Sequence, residues 1–165
     1  MGSNQNSRAF EVCKDCNEAE VVLPKRATEQ SAGYDFYASE DQVIPPIWMS
    51  LLGLFGGKAP KPVIIKTNVK AKLGKDEVLL LFNRSSNPAK GLVLANGVGV
   101  VDADYYGNES NDGNVGFAFF NLGLRTYTVK KGDKIGQGLI TSFYKVKNDE
   151  PANKARTGGF GSTGK

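Results

Sequence analysis

The chemistry open to this chain is limited first by a residue that it lacks. None of the 165 residues is histidine, so histidine cannot act as the general base, as a zinc ligand or as the partner of a Ser or Cys nucleophile. Acid–base work then falls to carboxylates, Lys, Tyr or Cys. Two carboxylates, Asp102 and Asp104, stand out in the stretch LANGVGVVDADYYG. On a strand their side chains point to the same side, where either one can activate a water molecule.

The sequence ends in GFGSTGK, residues 159–165, which satisfies both G-x-G-x-x-G and G-x-x-x-x-G-K. Both patterns place a glycine turn before a helix whose N-terminus binds phosphate, and no helix follows here. From about residue 148 onward the composition is polar and shows no strand pattern. We therefore predict a flexible arm over 148–165 whose glycines let backbone N–H groups approach phosphate.

The two cysteines, Cys13 and Cys16, form a C-x-x-C pair. A zinc site needs two further ligands, and a redox pair of the thioredoxin type needs a strand–helix setting. We predict inert thiols, with zinc shared between subunits as the alternative. Such low cysteine use, with no signal peptide at the start, favours a reducing cytoplasm.

The net charge and the most apolar stretch of the sequence limit the kinds of partner that the chain is expected to bind. The net charge of +4 suits an anionic ligand but lacks the basic stripe of a duplex-DNA binder, so no nucleic acid is expected. The most apolar stretch, Val43 to Gly57, is too short and too interrupted by Pro and Gly to span a bilayer, so no membrane is expected either.

Apolar and polar residues alternate along residues 63–73 (VIIKTNVKAKL), the period of a half-buried strand. Five more strands are predicted, at 77–82, 91–101, 115–120, 126–130 and 135–144. The one predicted helix is short, residues 85–90, with Ser86 or Asn87 as its cap and Gly91 at its end. This pattern predicts an all-β sandwich or barrel over 1–147, of which about residues 1–9 are a polar N-terminal extension.

Five stretches occur in a distinctive order: SAGYDFYA (31–38), NRSS (83–86), LANGVGVVDADYYG (94–107), GDKIGQGLI (132–140) and RTGGFGSTG (156–164). In order and content they resemble the five motifs of the trimeric dUTP diphosphatase (dUTPase) family, over about residues 23–164. The resemblance implies a jelly-roll-like β-barrel and a homotrimer with active sites at subunit junctions. It also implies magnesium-dependent hydrolysis of dUTP to dUMP and pyrophosphate.

The resemblance also implies roles for residues of the barrel. Asp102 matches the aspartate that activates the water attacking the α-phosphorus. Asn96 and the backbone at Gly99 match the hairpin that reads uracil, and Tyr105 matches the aromatic that packs on deoxyribose. The residues that match triphosphate ligands are Arg84, Ser85, Ser86 and Gln137. Asp35 matches an aspartate near magnesium, acting through water or by holding Arg84.

In the arm, Arg156 matches a ligand of the γ-phosphate, and Phe160 matches the ring that stacks over uracil. Gly161, Ser162 and Thr163 match further phosphate donors. The resemblance implies that this arm closes over a site of another subunit.

Residues 47–60, from Ile47 to Pro60, depart from the family pattern as an apolar insertion. Its large side chains are Trp48, Leu51, Leu52, Leu54 and Phe55. We expect a flap packed on the body or on a neighbouring subunit, with a docking surface for a protein partner as the alternative. The turn at 108–113 is also longer than usual, which leaves the geometry beyond Asp102 open.

Two other functions stay open at this point. A dCTP deaminase, or a bifunctional deaminase–diphosphatase, shares the barrel but needs a different polar set around the base. A nucleotide-sensing interaction module would use the apolar insertion to bind a partner, with catalysis secondary.

Overall fold

The alternation of apolar and polar residues produces a fold made almost entirely of strands. A computed structural model describes residues 8–53 and 60–151. The strands in this part are β1 Ala9–Val12, β2 Lys25–Arg26, β3 Tyr34–Tyr37, β4 Gln42–Ile44, β5 Val63–Lys66, β6 Val69–Lys72, β7 Glu77–Asn83, β8 Leu92–Leu94, β9 Gly99–Asp102, β10 Gly116–Asn121, β11 Tyr127–Val129 and β12 Lys134–Ser142. One helix, α1 Ile47–Leu51, and three 3-10 turns, Glu18–Glu20, Pro88–Lys90 and Ala103–Tyr105, complete the list.

The strands pair antiparallel in four small sheets. The largest has the order β2-β3-β12-β7-β9, and a second has the order β5-β10-β8. The pairs β1-β6 and β11-β4 complete the structure. Each sheet turns one face inward, onto a core that includes Phe36, Phe117 and Phe119. The predicted fold class is confirmed: the chain is an all-β, jelly-roll-like barrel.

The segment 63–73 keeps its alternation but not its continuity. Ile65, Thr67, Val69 and Ala71 are all buried, as predicted. Asn68, however, adopts φ +59°, which ends β5 and starts β6 in a new direction. The buried Thr67 hydroxyl donates to the Val115 carbonyl oxygen over 2.8 Å and stabilises this break. The prediction of one strand here was therefore wrong, because a left-handed residue divides it.

The region 83–101 also differs from its prediction. The strand expected over 91–101 is divided into β8, which pairs with β10, and β9, which pairs with β7, and Gly97 at φ +67° lies in the turn between them. The helix expected over 85–90 is only the 3-10 turn Pro88–Lys90, and Asn87 does not cap it through its side chain. Gly91 ends the turn at φ +80°, as predicted.

The apolar insertion contains the one α-helix of the described residues. Its Leu51 and Leu52 are 72% and 69% exposed, and Trp48 is also exposed. Both leucines thus do not pack on the chain's own body, and the other half of the expectation, packing on a neighbouring subunit, stays a prediction. Leu54 and Phe55 lie outside the described residues. No helix within the described ranges has both the length and the apolar character to cross a membrane.

Candidate functional site

A cluster of polar side chains forms where β3 and β12 lie side by side; we call Asp35, Arg84, Lys134 and Gln137 the polar cluster. The strand register places Gln137 opposite Asp35. Asp35 is only 5% exposed, and its carboxylate accepts from Lys134 Nζ over 2.7 Å and from Gln137 Nε2 over 3.4 Å. The hydrogen bond and charge of Asp35 raise the pKa of Lys134, so that lysine is cationic at neutral pH. The cluster thus holds a buried anion beside a more exposed cation.

Arg84 joins this cluster from the end of β7. Its Nη1 donates to the Lys134 carbonyl oxygen over 3.1 Å, and its backbone N–H donates to Asn83 Oδ1 over 3.0 Å. The recorded contacts link Arg84 to Asp35 indirectly, through Lys134. Ser85 and Ser86 follow in an exposed turn. The predicted residues Asp35, Arg84, Ser85, Ser86 and Gln137 are therefore brought together.

A cavity of ≈ 210 Å³ adjoins the polar cluster. Arg84, Lys90 and Lys134 bring three cations to its lining, together with Asp133 and the amide of Asn87. Lys90 Nζ also donates to the Tyr127 hydroxyl over 3.2 Å, which fixes the lysine at this edge. This excess of positive charge suits the oxygens of phosphate groups. Our sequence reasoning missed Lys90 and Lys134, although Lys134 stands inside the stretch GDKIGQGLI.

The second group of predicted residues lies in the β8–β9 connection, in β9 and in the turn after it. We call Asn96, Gly99, Asp102 and Tyr105 the hairpin site, after the family hairpin that the resemblance implied. Asn96 is exposed in the turn, where its carbonyl oxygen accepts from Val98 N–H over 2.7 Å. Gly99 pairs with Leu81, and a Cβ at Gly99 would lie 3.0 Å from Leu81 Cβ. Glycine therefore lets β9 approach β7 closely and sets the position of the β9 backbone.

Asp102 is the last residue of β9 and is exposed to solvent. The backbone then enters the 3-10 turn Ala103–Tyr105, so the alternation of a strand does not extend to Asp104. The expectation that both carboxylates point the same way from a strand was wrong for this reason. Asp104 is exposed in the turn.

Tyr105 is 5% exposed and belongs to the core. Its hydroxyl donates to the Asn114 carbonyl oxygen over 3.3 Å and accepts from Asn111 Nδ2 over 2.6 Å. Gly113, at φ +81°, passes so close that a Cβ there would lie 2.5 Å from the Tyr105 carbonyl oxygen. These contacts hold the Tyr105 ring in a fixed position. The packing of Gly113 against Tyr105 also fixes the backbone beyond Asp102, whose geometry the sequence left open.

The loop 106–114 is further tied to strands β1 and β6. Asp112 accepts from Lys70 Nζ over 2.8 Å and from the Lys14 backbone N–H over 2.6 Å. The Lys14 N–H first, and Lys70 next, lower the pKa of Asp112. Asp112 in turn raises the pKa of Lys70. Both groups are charged over a wide pH range, and their pairing stabilises the loop.

The polar cluster and Asp102 lie at opposite ends of β7. Asp102 is opposite Val78 in the register, whereas Arg84 follows Asn83 at the other end of the same strand. Arg84 therefore lies six positions after Val78, which corresponds to about 20 Å along a strand. The two side chains of one chain cannot both reach a single phosphate group across this distance.

The described residues include no group of three or more Cys, Asp, Glu or His side chains that could hold a metal. Cys13 is buried, and this burial raises the pKa of its thiol to about 12. A thiol that stays protonated is a poor nucleophile and a poor metal ligand, which supports the prediction of an inert cysteine. The predicted arm residues Arg156, Phe160, Gly161, Ser162 and Thr163 lie outside the described residues.

An all-β barrel with three cations in the lining of one cavity, and an exposed carboxylate at the end of a separate strand, has the features of a hydrolase for a phosphate-bearing substrate. A family model for dUTPase matches residues 19–164. The chain is 41% identical over 159 residues to the deoxyuridine 5'-triphosphate nucleotidohydrolase of Lactococcus lactis, covering 95% of this chain and 97% of that one. It is 32% identical to the enzyme of the same name from Rickettsia felis, over 86% of this chain and 88% of the relative.

The crystal structure of dUTPase from Streptococcus mutans is also similar, with a TM-score of 0.72 and 37% identity over 84% of this chain and 98% of that chain. The chain therefore belongs to the dUTPase family. It is a dUTP diphosphatase, an enzyme that hydrolyses dUTP to dUMP.

Proposed function

We propose that Asp102 is the general base, activating a water molecule for in-line attack on the α-phosphorus of dUTP. The new bond joins the water oxygen to the α-phosphorus, and the bond to the β-phosphate oxygen breaks, which leaves dUMP and pyrophosphate. Two observations support this role. The carboxylate is exposed at the end of β9, where a substrate can reach it. In a chain without histidine, a carboxylate is also the natural base for such a water.

Arg84, Ser85, Ser86 and Gln137 bind the triphosphate in this proposal. The guanidinium group supplies planar paired donors, and the two serines stand in an exposed turn beside it. Lys134, cationic and adjacent, adds to the positive potential at this end of β7. The anionic Asp35 is already paired with that lysine, so it repels phosphate less than an unpaired carboxylate would.

The hairpin site binds the nucleoside. Asn96 and the backbone at Gly99 read uracil through hydrogen bonds whose donor and acceptor order differs from the one cytosine needs. The close contact between Gly99 and Leu81 supports this role, because it sets where the backbone groups point. Tyr105 packs on deoxyribose. Its two hydroxyl contacts hold the ring as a fixed wall, which suits a residue that must leave no room for a 2′-hydroxyl.

The distance between Asp102 and Arg84 along β7 is the observation that supports a site shared between subunits. Because Asp102 lies beside Val78 and Arg84 follows six residues later, about 20 Å along the strand, a complete site takes Asp102 from one subunit and the polar cluster from another. A homotrimer with cyclic symmetry provides three such junctions.

Magnesium is the proposed cofactor. The scarcity of grouped carboxylates in the described residues fits an ion held chiefly by phosphate oxygens and water, the usual mode for this metal. A dUTPase from phage phi11 of S. aureus, similar in fold at 20% identity, is described as coordinating a structural Mg(II) ion. In this chain Asp35 would hold the ion through water. When bound, magnesium neutralises charge on the triphosphate.

Other features of the chain complete the proposal. Residues 1–147 form the barrel body, and an arm over 148–165 carries Arg156 and Phe160 to a site on another subunit. The exposed leucines of the insertion contact a neighbouring subunit or a protein partner. The scarcity of cysteines supports a cytoplasmic location.

A pair of matched variants tests the proposed base. Asp102→Asn removes the base but keeps the shape of the side chain, so we expect turnover of dUTP to fall by about 10²- to 10⁴-fold with little change in KM. Asp104→Asn, an identical change two residues away, serves as the control and is expected to stay within a few-fold of the wild type. Pyrophosphate release with magnesium is the measurement. A larger loss of turnover in Asp104→Asn than in Asp102→Asn would show that Asp104, and not Asp102, is the base.

A further inference from the structure

Two asparagine side chains bracket the Arg84–Ser86 turn, and neither has a role in the mechanism above. We infer that Asn83 and Asn87 are positioning residues, whose paired amides hold this turn in the geometry that binds phosphate. The inference rests on the proposed phosphate role of Arg84, Ser85 and Ser86.

Asn83 acts on Arg84 directly. Its Oδ1 accepts from the Arg84 backbone N–H over 3.0 Å and from Asn87 Nδ2 over 2.7 Å. Its Nδ2 donates to the Leu92 carbonyl oxygen over 2.9 Å. The amide thus connects the last residue of β7 to the start of β8 and sets the direction in which the chain leaves the sheet.

Asn87 completes the arrangement from the other side of the turn. It is 3% exposed, and its Nδ2 donates both to Asn83 Oδ1 and to the Ile135 carbonyl oxygen, the latter over 2.9 Å. Its backbone N–H donates to the Arg84 carbonyl oxygen over 3.0 Å, which closes the turn. A buried amide with these partners is costly to disturb, because each lost partner leaves a polar group unpaired.

An irregularity in β12 makes these contacts possible. The pairing of β12 with β3 shifts between Lys134 and Gly136, so Ile135 is an extra residue there. The pairing of β12 with β7 begins only at Gly136 opposite Asn83. Beyond that point the carbonyl oxygen of Lys134 accepts from the Arg84 side chain and that of Ile135 accepts from Asn87. Side chains therefore continue the contact between the two strands where the backbone ladder has ended.

This arrangement explains why amides are suited to these two positions. The donors and acceptors match without a net charge, so the turn is fixed without adding negative charge beside Arg84, Lys90 and Lys134. A carboxylate at either position would hold the turn but weaken the attraction for an anion.

The test compares Asn87→Ala and Asn83→Ala with a matched control, Asn121→Ala. Asn121 is 1% exposed, and its Nδ2 donates to two backbone carbonyls, those of Ile44 and Arg125, while its Oδ1 accepts from Gly123 N–H. It is thus an equally buried amide that contacts neither the turn nor β12. For each folded variant, two inhibition constants for dUTP hydrolysis are measured in one magnesium buffer, with inorganic pyrophosphate and with deoxyuridine.

We expect Asn87→Ala and Asn83→Ala to weaken inhibition by pyrophosphate at least tenfold and to leave inhibition by deoxyuridine within about twofold. Asn121→Ala is expected to lower the unfolding temperature to a similar extent with both constants unchanged. Asn83 is only half-buried, so it provides the folded variant if Asn87→Ala does not fold. The inference is overturned if both constants stay unchanged, or if both change together, in the folded variants.

Arg84→Ala separates this inference from the proposed function. If Arg84→Ala weakens pyrophosphate inhibition but the asparagine variants do not, the turn binds phosphate and the asparagines are only structural. If Arg84→Ala itself has no effect on pyrophosphate inhibition, the proposed phosphate role of the turn fails.

Discussion

The two ends of β7 present functional residues in different ways. At the Arg84 end, contacts between side chains and strands hold the functional residues in place: Asp35 pairs with Lys134, Arg84 contacts the backbone of that lysine, and Asn87 donates to β12. At the Asp102 end, close backbone packing holds them, through the approach of Gly99 to Leu81 and of Gly113 to the Tyr105 carbonyl oxygen.

This difference corresponds to what each end is proposed to bind. A triphosphate carries concentrated charge, so its binding site needs charged side chains that are held by partners. A nucleobase is recognised by its shape and by the order of its donors and acceptors, for which fixed backbone groups are well suited. Substitutions at the two ends should therefore have different consequences.

The largest expected effect is at the Arg84 end, for Gly136→Ala. A Cβ at Gly136 would lie 2.0 Å from Cε1 of Phe117, a ring that is fully buried in the core. Neither the ring nor the strand can move far enough, so we expect a loss of at least about 3 kcal/mol in the free energy of unfolding. Urea unfolding, or the soluble yield if folding fails, measures it. A variant of wild-type stability would show that the irregular part of β12 is not tightly packed.

A smaller effect is expected at the other end, for Gly99→Ala. The new Cβ would lie 3.0 to 3.3 Å from Leu81 atoms, a contact that a small shift of β9 relieves. We expect a loss of about 2 kcal/mol in the free energy of unfolding. Because β9 moves, KM for dUTP should rise about tenfold with little change in kcat. Inhibition by pyrophosphate should be unchanged, and an equal loss for pyrophosphate and nucleoside would contradict the division between the two ends.

The smallest expected effect concerns the loop behind the hairpin site, for Lys70→Met. Removing the partner of Asp112 should cost about 1 kcal/mol at neutral pH. The folded-state pKa of Asp112 is lowered, so its contribution is present above the unfolded value of about 3.9 and is lost as the pH falls through the folded value. The pKa of Lys70 is raised, so its contribution is present below about 10.4 and is lost as the pH rises through the folded value.

The stability difference between wild type and Lys70→Met should therefore be constant from about pH 5 to 9 and shrink at both extremes. Urea unfolding at a series of pH values measures this difference. A difference that is as large at pH 3 as at pH 7 would mean that the side-chain stem, and not the ion pair, stabilises the loop.

Much of the fold followed from the sequence because strand alternation is a local property. The buried face of residues 63–73 was predicted correctly, and Gly91 was correctly placed at the end of a helical turn. The breaks at Asn68 and Gly97 were missed, since alternation does not reveal where the chain adopts a positive φ. The short strands β1 to β4 were also missed, because they are stabilised mainly by distant partners.

The candidate site was predictable to a different degree at each end. Asp35, Arg84 and Gln137 do lie together, as the order of the motifs implied. The contributions of Lys134, Asn83 and Asn87 depend on the irregular pairing of β12, which no local pattern of the sequence encodes. The separation of Asp102 from Arg84 likewise appears only when β7 is seen to join them at opposite ends.

The central claim is that a complete site combines Asp102 of one subunit with the polar cluster of another. Subunit complementation tests it most directly: Asp102→Asn and Arg84→Ala, each nearly inactive alone, are unfolded together, refolded as a mixture and assayed for pyrophosphate release. In randomly assembled cyclic trimers about a quarter of the junctions carry both intact residues, so activity should recover to about a quarter of the wild-type value. Activity no greater than the average of the two separate variants, in trimers shown to be mixed, would contradict the shared site.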